Sequence, residues 1–81
     1  MSTVVTSAPV FVKATFNGNT GAGSISVPGL QVGDIGVFDF NGHNVIGSSF
    51  EQVVSIADEI QQISGADLSG QTYELFFVRW Q

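Results

Sequence analysis

The stretch TYELFFVRW, residues 72–80, alternates in the way that predicts a β-strand with an apolar side chain on both faces. The two predicted faces are Tyr73, Leu75, Phe77 and Arg79 on one side and Glu74, Phe76, Val78 and Trp80 on the other. One face can fill the core of the domain. The second face presents an apolar patch too large to leave in water, which predicts a contact with another polypeptide.

Shorter runs with strand-like patterns lie on the N-terminal side of this segment and are separated by turn-forming residues. The predicted strands are VFVKATF (10–16), SISV (24–27), IGVFDF (35–40), one or two strands within 45–56, and IQQIS (60–64). Asn-Gly and Pro-Gly pairs mark the turns between them. Residues 50–63 also fit an amphipathic helix, because their apolar positions recur at helical spacing.

The fold class predicted from this spacing is all-β: a small antiparallel β-sandwich or barrel of about five to seven short strands. One short helix around residues 50–63 is the alternative. We expect a single β domain over residues 9–81, preceded by an extended N-terminal arm over residues 1–8. The chain of 81 residues is long enough for one such domain and too short for two.

The composition of the chain argues against several classes of function. Only 11% of the residues are charged and the net charge is −5, with Lys13 and Arg79 the two basic residues. This balance argues against binding to nucleic acid or to anionic membranes, which requires many cationic contacts. No apolar run approaches the length of a membrane-spanning helix. Residues 1–10 lack the basic region and long apolar core of a signal peptide, so we expect a soluble, initially intracellular product.

No constellation of residues predicts catalysis, a cofactor or a metal site. Cysteine is absent, and a single histidine, His43, lies in a turn-forming NGHN segment. Asp34 and Asp39 have opposite strand parity, so they are not expected to face each other across a cleft as a carboxylate pair would. The segment GNTGAGS, residues 18–24, lacks the Lys-Ser/Thr ending of a phosphate-binding loop. We therefore predict a protein that is not an enzyme and has no cofactor.

The apolar residues divide into a predicted core and a predicted interface. The predicted core consists of Val10, Phe16, Ile35, Val37, Leu75 and Phe77. The predicted interface consists of Phe38, Phe40, Phe76, Val78, Trp80 and Arg79, since aromatic residues with a nearby arginine are typical of interface centres. Because so few charged side chains cover this small domain, we expect a homo-oligomer.

The segment SISVPGLQVGDIGVFDF, residues 24–40, resembles β modules in small structural proteins of tailed bacteriophages. The shared pattern is an apolar strand, Pro-Gly-Leu, Val-Gly-Asp and a second apolar strand, as in head-decoration, neck and tail-fibre modules. The likeness extends in style to the SFEQVV stretch (49–54) and the last aromatic strand.

This resemblance implies a virion component, often a trimer, with no catalytic residues to carry over. The expected function is that of a capsid cement or decoration protein that binds neighbouring subunits of the major capsid protein. A tail, neck or fibre component and a carbohydrate-binding host-recognition module are the alternatives. A small hydrolase that uses His43 with a serine or a carboxylate is a further, different class.

Overall fold

The described part of the chain is all-β. The structure is a computed structural model and describes residues 9–39 and 45–80. Five strands are present in these residues: β1 Pro9–Asn17, β2 Gly23–Ser26, β3 Ile35–Asp39, β4 Glu59–Gln62 and β5 Thr72–Trp80. The all-β prediction is confirmed, and the alternative of a helix around residues 50–63 is wrong.

The strands form two antiparallel sheets, β1-β5-β3 and β2-β4. The last strand, β5, is the middle strand of the larger sheet. It pairs with β1 along its whole length, from Pro9 opposite Trp80 to Asn17 opposite Thr72. β3 pairs with the other side of β5. This placement explains why β5 carries the longest apolar pattern: both of its edges and one of its faces lie within the protein.

A β-bulge in β3 overturns the face that the alternating pattern predicts for this strand. Gly36 lies opposite Phe77 and Phe38 lies opposite Phe76, so Val37 is an extra residue without a partner on β5. The bulge reverses the parity of the following residues. Phe38 therefore shares a face with Ile35, and Val37, predicted to belong to the core, is 44% exposed.

Residues 45–56 form a turn and single bridges instead of the predicted strand or strands. The carbonyl of Val45 accepts hydrogen bonds from the backbone N–H groups of Ser48, Ser49 and Phe50, at 3.3, 2.9 and 3.1 Å. Gly47 has a φ of 82°, which ends any extended conformation there. The predicted strand or strands within 45–56 are therefore wrong, since only single bridges at Ile46, Phe50 and Val53 are present there.

The core lies between the inner faces of the two sheets and is closed by the segments between the strands. Its buried members are Ala14, Phe16, Val27, Leu30, Val45, Phe50, Val54, Ile60, Tyr73, Leu75 and Phe77. Phe50 meets Phe16 and Tyr73 edge-on, with ring centroids 5.1 and 4.9 Å apart. Such edge-to-face pairs stabilise a core by about 0.5–1.5 kcal/mol beyond their buried area.

Three of the six predicted core residues, Phe16, Leu75 and Phe77, are buried as expected. Val10 is 42% exposed, so its assignment to the core is wrong. Its position opposite Arg79 places it near the end of β1, at the margin of the apolar core. Ile35 is half-buried and lies opposite Val78 on the outer face of the sheet, so its assignment to the core is also wrong.

Candidate interaction surface

The outer face of the three-stranded sheet carries an exposed apolar cluster, which we call the aromatic face: Phe11, Phe38, Phe76, Val78 and Trp80. The register places Phe11 opposite Val78 and Phe38 opposite Phe76, and alternation along β5 brings Trp80 to the same side. Phe11 is 63% exposed, Trp80 55% and Phe38 48%. Large apolar side chains grouped in this way are typical of a binding surface.

Phe76 is the centre of this cluster. The Phe38 ring meets it edge-on with centroids 4.8 Å apart, and the Phe11 ring lies on the other side with centroids 6.2 Å apart. One ring therefore comes from each strand of the sheet. Because β-sheet backbone supports all three rings, the surface is preorganised and loses little conformational entropy when it binds.

The other half of the same face is polar. Lys13 lies opposite Phe76, and its ammonium group pairs with the carboxylate of Glu74 at 3.0 Å. Thr15 lies opposite Glu74. The face thus has an apolar end and a charged end, an arrangement found where an apolar contact is bordered by a polar rim.

The predicted interface residues fall into three groups. Phe38, Phe76, Val78 and Trp80 share the outer face as the β5 pattern predicts. Arg79 points to the opposite face, and its interface role stays a prediction. Phe40 lies outside the described residues, as do His43 and the predicted arm, residues 1–8.

Phe11 belongs to the aromatic face although it was not among the predicted interface residues. The signal was present in the sequence, since strand alternation in VFVKATF groups Phe11 with Lys13 and Thr15. A phenylalanine that shares a face with lysine and threonine lies on the solvent side of an edge strand.

Arg79 and Asp34 form a buried ion pair beneath the Pro28–Asp34 corner. Arg79 Nε donates to Asp34 Oδ1 at 2.8 Å and Nη2 donates to Oδ2 at 2.7 Å, in the two-pronged geometry of strong Arg–carboxylate pairs. The Asp34 side chain is 1% exposed and the Arg79 side chain 18%. The Arg79 hydrogen bonds lower the pKa of Asp34, and the same bonds raise the pKa of Arg79.

The same corner is held from two further sides. Arg79 Nη2 also donates to the carbonyl of Gly29 at 2.8 Å, and Asp58 Oδ1 accepts the Gly29 N–H at 2.8 Å. The backbone of Asp58 bonds to Val27 and Leu30. Asp58 adopts a φ of 63°, which aspartate tolerates better than most residues. These two carboxylates hold the corner in place.

Gln62 is a buried polar side chain with a structural role. It is 2% exposed, and all its partners are backbone groups. Its Oε1 accepts the Asn19 N–H at 2.7 Å, and its Nε2 donates to the carbonyls of Ser64 and Ala66 at 3.0 and 2.9 Å. It therefore joins the segment after β1 to the segment after β4.

Among the described residues, no group of three or more histidine, cysteine, aspartate or glutamate side chains could hold a metal ion. Asp67 has a lowered pKa because the hydroxyl and the backbone N–H of Ser69 donate to it, which is the bonding of a local turn. Nothing in residues 9–39 and 45–80 forms a helix long and apolar enough to cross a membrane.

Comparison with protein-family models, with curated proteins and with solved structures gave no match to this chain.

Proposed function

We propose that this chain is a non-enzymatic structural protein of a bacteriophage virion, which attaches to neighbouring protein subunits through the aromatic face. The capsid is its proposed site of action, where it would act as a cement or decoration protein. The observation that carries the binding role is the exposure of Phe11, Phe38 and Trp80 on one rigid sheet face. The virion assignment rests on the resemblance of residues 24–40 to phage structural modules.

The chemical character of the aromatic face matches that of a surface that binds another protein. Burying one such side chain fully contributes about 1.5–3 kcal/mol, and three of them are roughly half exposed or more. Rim charges contribute little to affinity but help to fix orientation, a role that Lys13 and Glu74 can fill. A partner with an apolar patch and a polar border would match this surface.

Sugar binding is the competing use of exposed aromatic rings. A carbohydrate site needs polar side chains beside the rings to bond to hydroxyl groups. On the described part of the outer face, β1 and β5 contribute the polar side chains Lys13, Thr15, Asn17, Thr72 and Glu74. Four of these already bond to each other, Lys13 to Glu74 and Thr72 to Asn17. The aromatic face therefore supports a protein partner better than a glycan.

The binding role is tested by a double substitution, Phe11→Ala with Trp80→Ala, in the full chain. Hot-spot aromatics each contribute at least about 2 kcal/mol to binding, so two of them should weaken assembly by at least about 100-fold. Light scattering over a concentration series measures this loss. The matched control is Val32→Ala with Ile56→Ala, which removes two exposed apolar side chains outside both sheets and should leave assembly unchanged.

Equal assembly of the two double variants would contradict the role of the aromatic face. The virion assignment needs a separate measurement. Particles purified on a density gradient from the natural source of the gene should contain the chain in a fixed ratio to their capsid protein, measured by quantitative mass spectrometry. Absence of the chain from such particles would refute the assignment and leave the binding role standing.

A further inference from the structure

β1 is an edge strand whose outer edge has no β-strand partner among the described residues. The larger sheet has the order β1-β5-β3, so one edge of β1 pairs with β5 and the other faces away from the sheet. β2 belongs to the second sheet and pairs only with β4. An edge of this length exposes a row of backbone donors and acceptors, to which another strand can pair.

The hydrogen-bond pattern identifies which backbone groups face this edge. The Gly18 N–H donates to the Gln71 carbonyl at 3.1 Å, so the β1–β5 ladder continues one residue beyond β1. Hydrogen-bonded pairs alternate along an antiparallel ladder. Counting back from Gly18, the backbone groups of Phe11, Lys13 and Thr15 point away from β5.

The other side of β5 agrees with this count. Phe77 lies opposite Val12 and, by the alternation, directs its backbone groups to β1. Gly36, which lies opposite Phe77 on β3, accordingly sends its N–H away from β5, to the Gln52 carbonyl at 2.6 Å. The outward direction at Phe11, Lys13 and Thr15 therefore follows from two separate hydrogen bonds.

A groove of about 220 Å³ runs along this edge. One wall is Val12–Thr15 of β1 and the other is the segment from Ser26 to Leu30, which the Asp34–Arg79 pair and Asp58 hold in place. The volume is smaller than the roughly 300–1,000 Å³ of small-molecule pockets. A groove with a strand edge as one wall is instead the geometry of β-strand addition.

We propose that this edge binds an extended strand, and that the strand is the segment of residues 2–8 from a second copy of the chain. The segment STVVTSA has no charge and is rich in β-branched residues, which favour strands. Residues 1–33 contain no acidic side chain, so the seven carboxylates of the chain lie outside both the segment and β1. Pairing the two adds no repulsion between carboxylates.

The same arm is poorly suited to pair with its own β1. It would have to reverse direction immediately before Pro9, and a tight hairpin favours Gly, Asn or Asp at its centre. Thr6, Ser7 and Ala8 offer none of these, and the proline at position 9 restricts Ala8 to extended conformations. An exchange between copies avoids this turn.

The edge and the aromatic face are separate surfaces. The strand exchange therefore goes beyond the proposed function, and either proposal can fail while the other stands.

Two variants of the full chain remove one half of the contact each. Thr15→Pro removes an outward N–H from the edge, at a position where an edge strand tolerates proline; Thr15→Val keeps the N–H and is the matched control. Val4→Pro with Val5→Pro is the variant of the arm. Adjacent residues of a strand direct their N–H groups to opposite edges, so one of the two prolines removes a pairing N–H in either register. Far-ultraviolet circular dichroism and a melting curve check that each variant remains folded.

Analytical ultracentrifugation then separates the possibilities. These measurements use the Phe11→Ala, Trp80→Ala background, so that the aromatic face does not hold the copies together. In that background we expect the parent chain and Thr15→Val to self-associate, and the Thr15→Pro and arm variants to sediment as single chains of about 8.5 kDa. An equimolar mixture of the two proline variants should form a heterodimer, because one supplies an intact arm and the other an intact edge. Hydrogen exchange should show protection of the amides at the positions of Phe11 and Thr15 in the parent chain and its loss in the arm variant.

Each other outcome overturns the proposal. Association that survives in either proline variant shows that the arm or the edge is not needed. A mixture without heterodimers shows that the arm does not bind the edge. A monomeric parent chain with protected amides at the positions of Phe11 and Thr15 shows pairing within one chain, and a monomer without that protection shows an empty edge.

Discussion

Asp34 illustrates how one buried carboxylate can fix a whole corner of the chain. Its two oxygens accept two hydrogen bonds from Arg79, and Oδ2 also accepts the Gln31 N–H at 2.9 Å. From the sequence, Asp34 was expected only not to face Asp39 as a carboxylate pair. The role of Arg79 was not visible, because 45 residues separate it from Asp34 and alternation fixes a face but not a partner.

The Asp34→Asn variant should be strongly destabilised. It leaves the guanidinium of Arg79, whose side chain is 18% exposed, without its counter-charge, and removing one partner of such a pair is strongly destabilising. We expect the free energy of unfolding, measured by urea denaturation, to fall clearly more than in the control. The matched control is Glu74→Gln, which removes the exposed partner of Lys13 and should change stability by less than about 1 kcal/mol. Similar losses in both variants would contradict the structural role of the buried pair.

The lowered pKa of Asp34 also predicts a pH dependence. The pKa in the folded state lies below the ordinary value of 3.8, chiefly because Arg79 donates hydrogen bonds to the ionised carboxylate. The folded state therefore holds this proton less tightly than the unfolded state does. The resulting stability is complete above the unfolded pKa and is lost as the pH falls through the folded pKa.

We accordingly expect the free energy of unfolding to decrease as the pH is lowered from about 4. Asp67, whose pKa is also lowered, contributes with the same sign. Urea denaturation at a series of pH values measures the slope. The Asp34→Asn variant should show a shallower decrease than the wild type, and an identical slope in both proteins would disprove the assignment to Asp34.

The contact between Gly18 and Leu68 ties the end of β1 to the segment before β5. A Cβ at Gly18 would overlap the carbonyl oxygen and the side chain of Leu68, whose N–H donates to Asn19 at 2.8 Å. Gly18→Ala must therefore displace backbone and should cost about 1–3 kcal/mol.

Gly70→Ala is the matched control for Gly18→Ala, because nothing lies within 4 Å of its added Cβ. It should be neutral or stabilise the protein by up to about 1 kcal/mol, since alanine restricts the unfolded chain more than glycine does. Thermal melts of both variants measure the difference. Equal melting temperatures would show that the contact with Leu68 adapts without cost.

The secondary-structure elements were predictable in proportion to the regularity of their pattern. β5 has the predicted bounds, and β1 extends one residue beyond its prediction at each end. β3 was located correctly, but its faces were not, because a bulge leaves no mark in an alternating sequence. Residues 45–56 carry the β-branched and aromatic residues of strands, yet hydrogen bonds to Val45 fold them into a turn.

The pairing of the strands depends on tertiary contacts that local patterns do not report. β1 and β5 are adjacent in the sheet although more than fifty residues separate them in the sequence, as the pair Asn17 and Thr72 shows. The aromatic face was predictable in part, since β5 supplies three of its members and β3 one. The alternation in β1 indicated which residues share a face with Phe11. The position of Phe11 opposite Val78 depends on the β1–β5 register, which the sequence alone does not determine.

The central position of β5 has a consequence for the order in which the protein can fold. Residues 72–80 are made after the four other described strands, yet they provide the pairing partner of both β1 and β3. Until they leave the ribosome, β1 and β3 have no partner in the larger sheet, a state prone to premature association. We therefore expect the larger sheet to form only after residues 72–80 have been made.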